Sequence, residues 1–313
     1  MAKTKKVGTE SLLTNTWKNK TLFFMSLPAV LFTLVFCYIP MSGLVLAFKR
    51  YNFADGIFGS PWAGWSNFEF FIKSGKLLQL TANTFYYNIV FLVSCVVLEV
   101  TLAVFLSEVN MNAKVRKVCQ TMSLLPHFVS YVVVGLLFFN IFNYDFGVLN
   151  SIIEAFGGEP ISLYQDGTKW RWIIPVVNAW KGVGYGSIVY LAATKGIDPN
   201  LYEAAAIDGA GAWKRVWCIT LPLLKPTIVT MTLLSLGRIM RGNYEMFYQL
   251  VGVNPNLTAA TDIIDTYVFR AVTSGTDYGM TSAATLYQSV LCFVMIVGVN
   301  KLVKLWNKNY ALF

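Results

Sequence analysis

The chain has 313 residues, of which 56% are apolar and only 13% are charged, whereas soluble proteins carry about 25% charged residues. Together with a mean hydropathy of +0.54, this excludes an ordinary soluble domain and predicts a protein whose solvent is the lipid bilayer. The formal net charge is +9, but Lys and Arg stand in short groups between apolar runs. That distribution is typical of membrane-protein loops and not of a nucleic-acid-binding surface.

The first 21 residues are polar and basic, and we interpret them as a cytoplasmic tail. The apolar run that follows is too long for a signal peptide and has no typical cleavage site, so we predict a retained membrane span. Five later runs are also near the length that a helix needs to cross a bilayer. The six predicted spans cover residues 22–48, 85–106, 118–142, 172–194, 227–251 and 283–305.

The predicted fold is an all-α membrane protein with six transmembrane helices, because helices satisfy their own backbone groups inside lipid. Residues 22–306 form the transmembrane domain, and residues 307–313 form a C-terminal tail on the same side as the N-terminus. With both termini in the cytoplasm, the inner segments hold roughly twice as many Lys and Arg as the outer ones. The first outer loop departs from this rule, since it holds four basic residues.

Several chemistries find no support in the residues. No GxxxxGK[ST] loop occurs, so we expect the chain not to hydrolyse ATP. His127 is the single histidine, and the five cysteines contain no CxxC pair. The glycine-rich stretch 182–186 lies inside an apolar run, and we interpret it as a close helix–helix contact. We therefore predict no catalytic residue, no metal site and no cofactor on this chain.

One inner loop, residues 195–222, differs from a simple connector. Asp198 is a good helix N-cap, and Pro199 suits the first helical position. Gly209 can adopt the left-handed conformation that ends a helix. A second short helix over residues 212–219 is predicted to follow. The residues thus predict a compact helix–turn–helix, and by themselves leave open whether it is a structured connector or a docking element.

At this point the sequence resembles a known family. The loop is similar to the EAA loop of binding-protein-dependent ABC importer permeases, in its residue types, in their spacing and in its position before the fifth span. The residues that carry this resemblance are Glu203, Ala204, Ala205, Asp208, Gly209, Leu221 and Pro222. The flanks Pro199-Asn200-x-Tyr202 and Leu221-Pro222-Leu223-Leu224-Lys225-Pro226 resemble the carbohydrate branch. The stretch around Tyr38-Ile39-Pro40 resembles the polysaccharide and oligosaccharide permeases of that branch.

The resemblance implies a type I ABC importer permease fold with a cytoplasmic coupling helix, in the bacterial cytoplasmic membrane. It further implies that Glu203 contacts an ATPase, that Ala204 and Ala205 allow close approach, and that Gly209 makes the turn fixing the helix angle. The implied partners are a second homologous permease, two ATPase subunits that hold ATP and Mg, and an extracytoplasmic solute-binding protein. The implied function is import of a sugar or oligosaccharide by alternating access.

Ionisable residues inside spans are costly and invite functional hypotheses. Arg241 and Glu245 stand four residues apart in the fifth predicted span and could pair on one helix face. They are either an internal salt bridge or part of a polar cavity wall. Glu99, isolated in the second span, is expected to face another helix. The predicted substrate pathway comprises Trp180, Tyr185, Arg238, Arg241, Asn243, Tyr244, Glu245 and Tyr248.

Two other functions compete with sugar import. An ABC permease for a non-sugar solute would share the loop but not its carbohydrate-like flanks. A stand-alone secondary transporter would show inverted repeats and broken mid-membrane helices, and the apolar runs indicate neither. The residues do not specify which sugar is moved or its length, whether the ATPase is dedicated or shared, which permease is the partner, or which of the two permeases holds the substrate.

Overall fold

A computed structural model describes residues 19–73, 75–108, 112–275 and 277–306. Within these ranges the chain is helical, with no strand and one isolated bridge between Lys49 and Trp62. The prediction of an all-α fold is thereby confirmed. The predicted tails, residues 1–21 and 307–313, lie outside the described residues except for positions 19–21.

The helices follow one another with short connections. Their bounds are α1 Lys20–Thr33, α2 Ile39–Met41, α3 Gly56–Gly59, α4 Ser66–Lys73, α5 Lys76–Glu108, α6 Ala113–Phe128, α7 Tyr131–Phe142, α8 Val148–Ala155, α9 Gly167–Lys195, α10 Pro199–Ile207, α11 Ala212–Arg215, α12 Leu221–Leu236, α13 Tyr244–Val251, α14 Pro255–Thr261, α15 Ile264–Thr273 and α16 Tyr278–Trp306. Turns of π-helix cover Leu34–Tyr38 and Val216–Thr220, and 3-10 segments cover Ser42–Phe48 and Leu163–Gln165.

Four helical stretches in the described ranges are long and apolar enough to cross a bilayer. They are the N-terminal stretch 20–48, α5, the stretch from α11 through α12, and α16. A bent pair, α6 with α7, raises the number to five if it is one span. The 29-residue helix α9 has the length of a span but is not among these. The count of six spans therefore remains a prediction.

Two predicted spans are not continuous helices, which corrects the sequence-based expectation. The run 118–142 breaks at Val129 and Ser130, and its two helices meet at 93°. The run 227–251 ends as a helix at Leu236 and resumes at Tyr244. At each break a polar side chain caps the new helix, since Ser130 Oγ accepts from the N–H of Val133 and Asn243 Oδ1 from that of Met246. Such local bonds compete with a continuous helix.

The main core lies where α5, α7, α9, α13 and α14 meet. Its fully buried members include Tyr87 of α5, Trp170 of α9 and Phe247 of α13. The Trp170 indole N–H donates to the carbonyl oxygen of Leu163 at 3.0 Å, so its polar end is satisfied. Burial of large rings therefore stabilises the bundle without leaving unpaired polar atoms.

Glycines of α9 bring this helix close to its neighbours. A Cβ atom at Gly184 would lie 1.8 Å from the carbonyl oxygen of Ser123 in α6. One at Gly186 would lie 2.0 Å from the Glu99 carboxylate of α5. The interpretation of residues 182–186 as a packing stretch is confirmed at these two positions, and Glu99 does face another helix. Gly182 has open space around its Cα.

The predicted loops gather at two ends of the bundle. At one end, Gln79 donates to the carbonyl of Ala259 at 3.0 Å and Asn254 to that of Tyr164 at 2.8 Å, which joins all three predicted outer loops. At the other end lies the inner loop 195–222, which we call the coupling segment. It packs beside the cytoplasmic ends predicted for α5 and α6, around a shared cavity. This grouping matches the predicted alternation of loops between two sides.

The close approach at Gly184 generates a stability prediction. Gly184→Ala places a methyl group against the backbone of α6, and we expect it to reduce the free energy of unfolding by about 1–3 kcal/mol, as overpacking does. Thermal unfolding of the purified protein in detergent measures the effect. Gly182→Ala is the matched control, because the same helix has room there. An unchanged midpoint for Gly184→Ala would contradict the contact.

Candidate functional site

The two helix breaks lie beside each other. Helix α7 packs against α13, and Tyr131 at the start of α7 interacts with Asn243 and Glu245 at the start of α13. Two helix N-termini therefore converge at the level of the breaks, and helix N-termini favour negative or hydrogen-bond-accepting groups. We call this region the break site.

Lys181 of α9 stabilises the first break. Its Nζ donates to the carbonyl oxygens of His127 at 2.7 Å, Val129 at 2.5 Å and Pro126 at 3.3 Å. The side chain is buried, with 6% exposed, and its ammonium lies 4.7 Å from the centre of the Tyr131 ring. A cation at the last turn of α6 binds the carbonyl oxygens that the broken helix leaves unpaired.

The role of Lys181 was missed at the sequence level. A lysine inside an apolar run is a signal for a functional or structural partner. Its acceptors, however, lie more than fifty positions earlier in the chain, and no local pattern connects them.

The second break is fixed by side chains from α15 and α16. Asp265 Oδ2 accepts the backbone N–H of Gly242 at 2.7 Å and an amide hydrogen of Gln288 at 2.8 Å. Gln288 also donates to the carbonyl of Met240 at 2.6 Å. A Cβ at Gly242 would lie 2.2 Å from Ile263 Cδ1, so a larger residue here would displace the end of the Ile263 side chain. The unwound backbone is thus bonded to protein, as non-helical chain at membrane depth must be.

The predicted pathway residues occupy this region in two groups. Five of them lie exposed on the unwound segment and the start of α13, namely Arg238, Arg241, Asn243, Tyr244 and Glu245. Trp180 and Tyr185 lie exposed on α9, and Tyr185 stacks on His127 with ring centres 4.2 Å apart. Tyr244 and the half-buried Tyr248 both contact the ring of Phe269.

The expected ion pair between Arg241 and Glu245 does not form. Arg241 lies in the unwound segment before α13 begins, so the spacing of four residues does not place the two side chains on one helix face. Glu245 instead lies within electrostatic reach of Lys181, and Arg241 within that of Asp265. The other interpretation, a polar cavity wall, stays a prediction.

At the opposite end, the coupling segment has the predicted local structure. Asp198 caps α10 by accepting the N–H of Asn200 at 3.0 Å. Gly209 has a φ of +74°, and the N–H of Ala210 returns to the carbonyl of Ala205 at 2.8 Å, which closes the helix end. The Tyr202 hydroxyl lies 3.0 Å from the Thr220 hydroxyl and ties α10 to the following helix.

The coupling segment presents an outward surface. Glu203, Ala204, Asp208, Gly209 and Pro222 are exposed, whereas Ala205 and Leu221 are half-buried. Two large apolar side chains beside them are also exposed, with Ile207 at 87% and Trp213 at 76%. Exposed apolar groups rimmed by polar ones are typical of a protein–protein interface.

The second short helix differs from the expectation in its extent. It does not end near residue 219, because α11 continues through the π turn Val216–Thr220 directly into α12. One uninterrupted helix of 25 residues therefore connects the coupling turn to the second break.

Comparison with known proteins agrees with this architecture. Residues 99–308 match the family described as "Binding-protein-dependent transport system inner membrane component". The chain is 34% identical to Protein LplB of Bacillus subtilis (strain 168), with 93% of this chain and 91% of LplB covered. It is 33% identical to the polygalacturonan/rhamnogalacturonan transport system permease protein YteP of the same organism, with coverages of 97% and 94%.

The fold is also similar to a solved structure. A chain of the bacterial alginate ABC transporter, in complex with an alginate pentasaccharide-bound periplasmic protein, superposes with a TM-score of 0.84 at 30% identity. The match covers 96% of this chain and 99% of that one. The sequence analysis used the absence of broken helices as an argument against a secondary transporter. Because this chain has two helix breaks, that argument was wrong.

The capping of the first break gives a second prediction. Lys181→Met keeps the aliphatic stem but leaves the α6 carbonyls without their donor, and we expect a loss of about 1–3 kcal/mol, the cost of unsatisfied buried acceptors. Thermal unfolding in detergent measures this loss. Lys169→Met on the same helix is the control, since Lys169 is exposed and surface ion pairs contribute little. Equal midpoints for the two variants would refute the capping role.

Proposed function

The chain belongs to the binding-protein-dependent transport system inner membrane components, and on that premise we propose that it is the permease subunit of an ATP-driven importer of a sugar or oligosaccharide. The observation that carries the proposal is the mechanical link between its two sites. An exposed helix, α10, is fixed by a tight turn to a continuous helix that ends at the break site. Movement at one end of that helix is transmitted to the other.

The proposed topology has six spans and both termini in the cytoplasm. Helix α9 and the two broken pairs, α6 with α7 and α12 with α13, supply three of the spans. The coupling segment then faces the cytoplasm, and the segments 143–165 and 252–277 face outward. The distribution of Lys and Arg supports this orientation.

The N-terminal stretch supports a second permease as partner. Residues 20–41 are exposed or at most half-buried, so the other helices of this chain do not bury them. A second, homologous permease would pack against this stretch and complete the cavity at the break site. Two ATPase subunits would hold ATP and Mg, so that this chain needs no catalytic residue, cofactor or metal of its own.

The coupling segment is the proposed contact with an ATPase. Glu203 offers a carboxylate on an exposed helix, Ala204 and Ala205 permit close approach, and Ile207 and Trp213 offer apolar surface. ATP binding would draw the coupling helices of the two permeases together. Because α11 and α12 are continuous, the displacement would reach the break site and turn its cavity outward.

The break site suits a polyhydroxylated substrate. The exposed rings of Trp180, Tyr185 and Tyr244 offer faces for sugar rings, while Asn243 and Arg241 offer hydrogen-bond donors for hydroxyl or carboxylate oxygens. The names of the relatives support saccharides, and an extracytoplasmic binding protein would deliver them. A non-sugar solute is the alternative, and no residue of the site favours it.

Partner capture tests the assignment directly. The tagged chain, solubilised in mild detergent, should co-purify with a P-loop ATPase and a second permease, identified by mass spectrometry. Glu203→Ala should reduce the recovered ATPase while the second permease remains. A chain that purifies alone and moves solute in vesicles without ATP would replace this function with secondary transport.

The coupling turn generates a separate prediction. Gly209→Asp places a charged side chain at a position with a φ of +74°, a conformation that glycine adopts most readily, and should misorient α10. We expect normal membrane insertion but at least a tenfold loss of ATP-dependent uptake in proteoliposomes. Gly211→Asp is the matched control, because Gly211 has a negative φ, open space and the N-cap position of α11, where Asp is favoured. Normal uptake by Gly209→Asp would contradict the proposed role of this turn.

A further inference from the structure

A cavity of about 720 Å³ lies at the predicted outer end of α7 and α13, away from the residues of the break site. Its lining combines segments 132–145, 162–165 and 249–256. We call it the outer pocket. No residue of the predicted substrate pathway lines it, and the proposed function assigns it no role.

The walls of the outer pocket are fixed by specific contacts. Gly135 lets α7 touch the backbone of α13, since a Cβ there would lie 2.4 Å from the carbonyl oxygen of Gln249. The Tyr164 hydroxyl donates to the carbonyl of Leu250 at 3.4 Å, and Asn254 donates to that of Tyr164 at 2.8 Å. Burial raises the pKa of the Tyr164 hydroxyl to about 12.

Several lining groups have unused binding capacity. The Tyr144 ring is 50% exposed and makes no ring contact with any described residue. In the same described ranges, the side-chain amides of Gln249, Gln165 and Asn256 make no hydrogen bond. Gln249 is half-buried, whereas Gln165 and Asn256 are exposed. A half-buried amide without a protein partner is costly unless a polar ligand or water binds it. An exposed ring beside free amides is the combination that binds sugar rings through their faces and hydroxyls.

The outer pocket begins one helical turn beyond the break site on α13. Glu245 and Gln249 are four residues apart, so they lie on one face of that helix, and Gly252 is the residue at which the helix ends. Glu245 belongs to the break site, whereas Gln249 and Gly252 line the outer pocket. Seven residues of α-helix span roughly 10 Å, which is longer than a single sugar ring.

From this geometry we infer that the outer pocket is a second saccharide-binding subsite, in which Tyr144 stacks on a sugar ring and the amide of Gln249 binds its hydroxyls. It receives the far end of an oligosaccharide whose other end lies at the break site. The inference rests on the proposed function and extends it, because it assigns the substrate more than one ring. A short saccharide fills only one of the two subsites.

The test compares two chain lengths in the complete importer, reconstituted with excess loaded binding protein so that initial rates report the permease. The probes are the disaccharide and the pentasaccharide of galacturonate and of maltose-type glucan. Tyr144→Ala and Gln249→Ala should lower the pentasaccharide rate about five- to tenfold, as expected for one lost contact. The disaccharide rate should change less than about twofold.

Phe156→Ala is the matched control, since Phe156 is an aromatic residue of the same outer segment, is 89% exposed and does not line the outer pocket. Equal slowing of both lengths, no slowing, or the same length-selective loss in Phe156→Ala overturns the subsite alone. Failure of the unmodified importer to take up, with ATP, any saccharide that its binding protein delivers overturns the proposed function, and the subsite with it.

Discussion

The structure depends on one constraint, which is that backbone polar groups at membrane depth must be bonded within the protein. Two apolar runs are broken, and each break leaves carbonyl and N–H groups that lipid could not satisfy. Lys181 serves the first break, and Asp265 with Gln288 serves the second. These side chains come from α9, α15 and α16, so helices distant in sequence are brought together by the bonding needs of the breaks.

The same constraint determines which polar side chains are exposed at the second break. The backbone at the breaks is bonded by side chains from other helices, and several side chains of the unwound segment are exposed. Arg241, Asn243 and Glu245 are exposed there instead of paired along a helix. Interrupting the helix thus yields an exposed polar surface at the second break, and the continuous helix of α11 and α12 connects it to the coupling turn.

What could be predicted from sequence was local. Asp198, Pro199 and Gly209 specify α10 and its end through neighbouring backbone groups, and the structure has that helix and that turn. The breaks were missed because Ser130 and Asn243 stand inside apolar runs, where the average hydropathy indicates one continuous span. The predicted ion pair between Arg241 and Glu245 was wrong for the same reason, because the prediction assumed an unbroken helix between the two residues. Lys181 bonds to residues more than fifty positions away, a distance at which spacing carries no information.

The exposed N-terminal helix bears on how the chain folds during synthesis. Among the described residues, from Asn19 onward, none before Ala47 is buried, so lipid insertion alone can hold α1, and that step can occur before the later helices exist. The adjoining segment Ser42–Phe48 packs against α16, which is synthesised much later. These native contacts therefore close only when two segments distant in sequence meet, and a chain released before α16 would retain an inserted first helix without its docking surface.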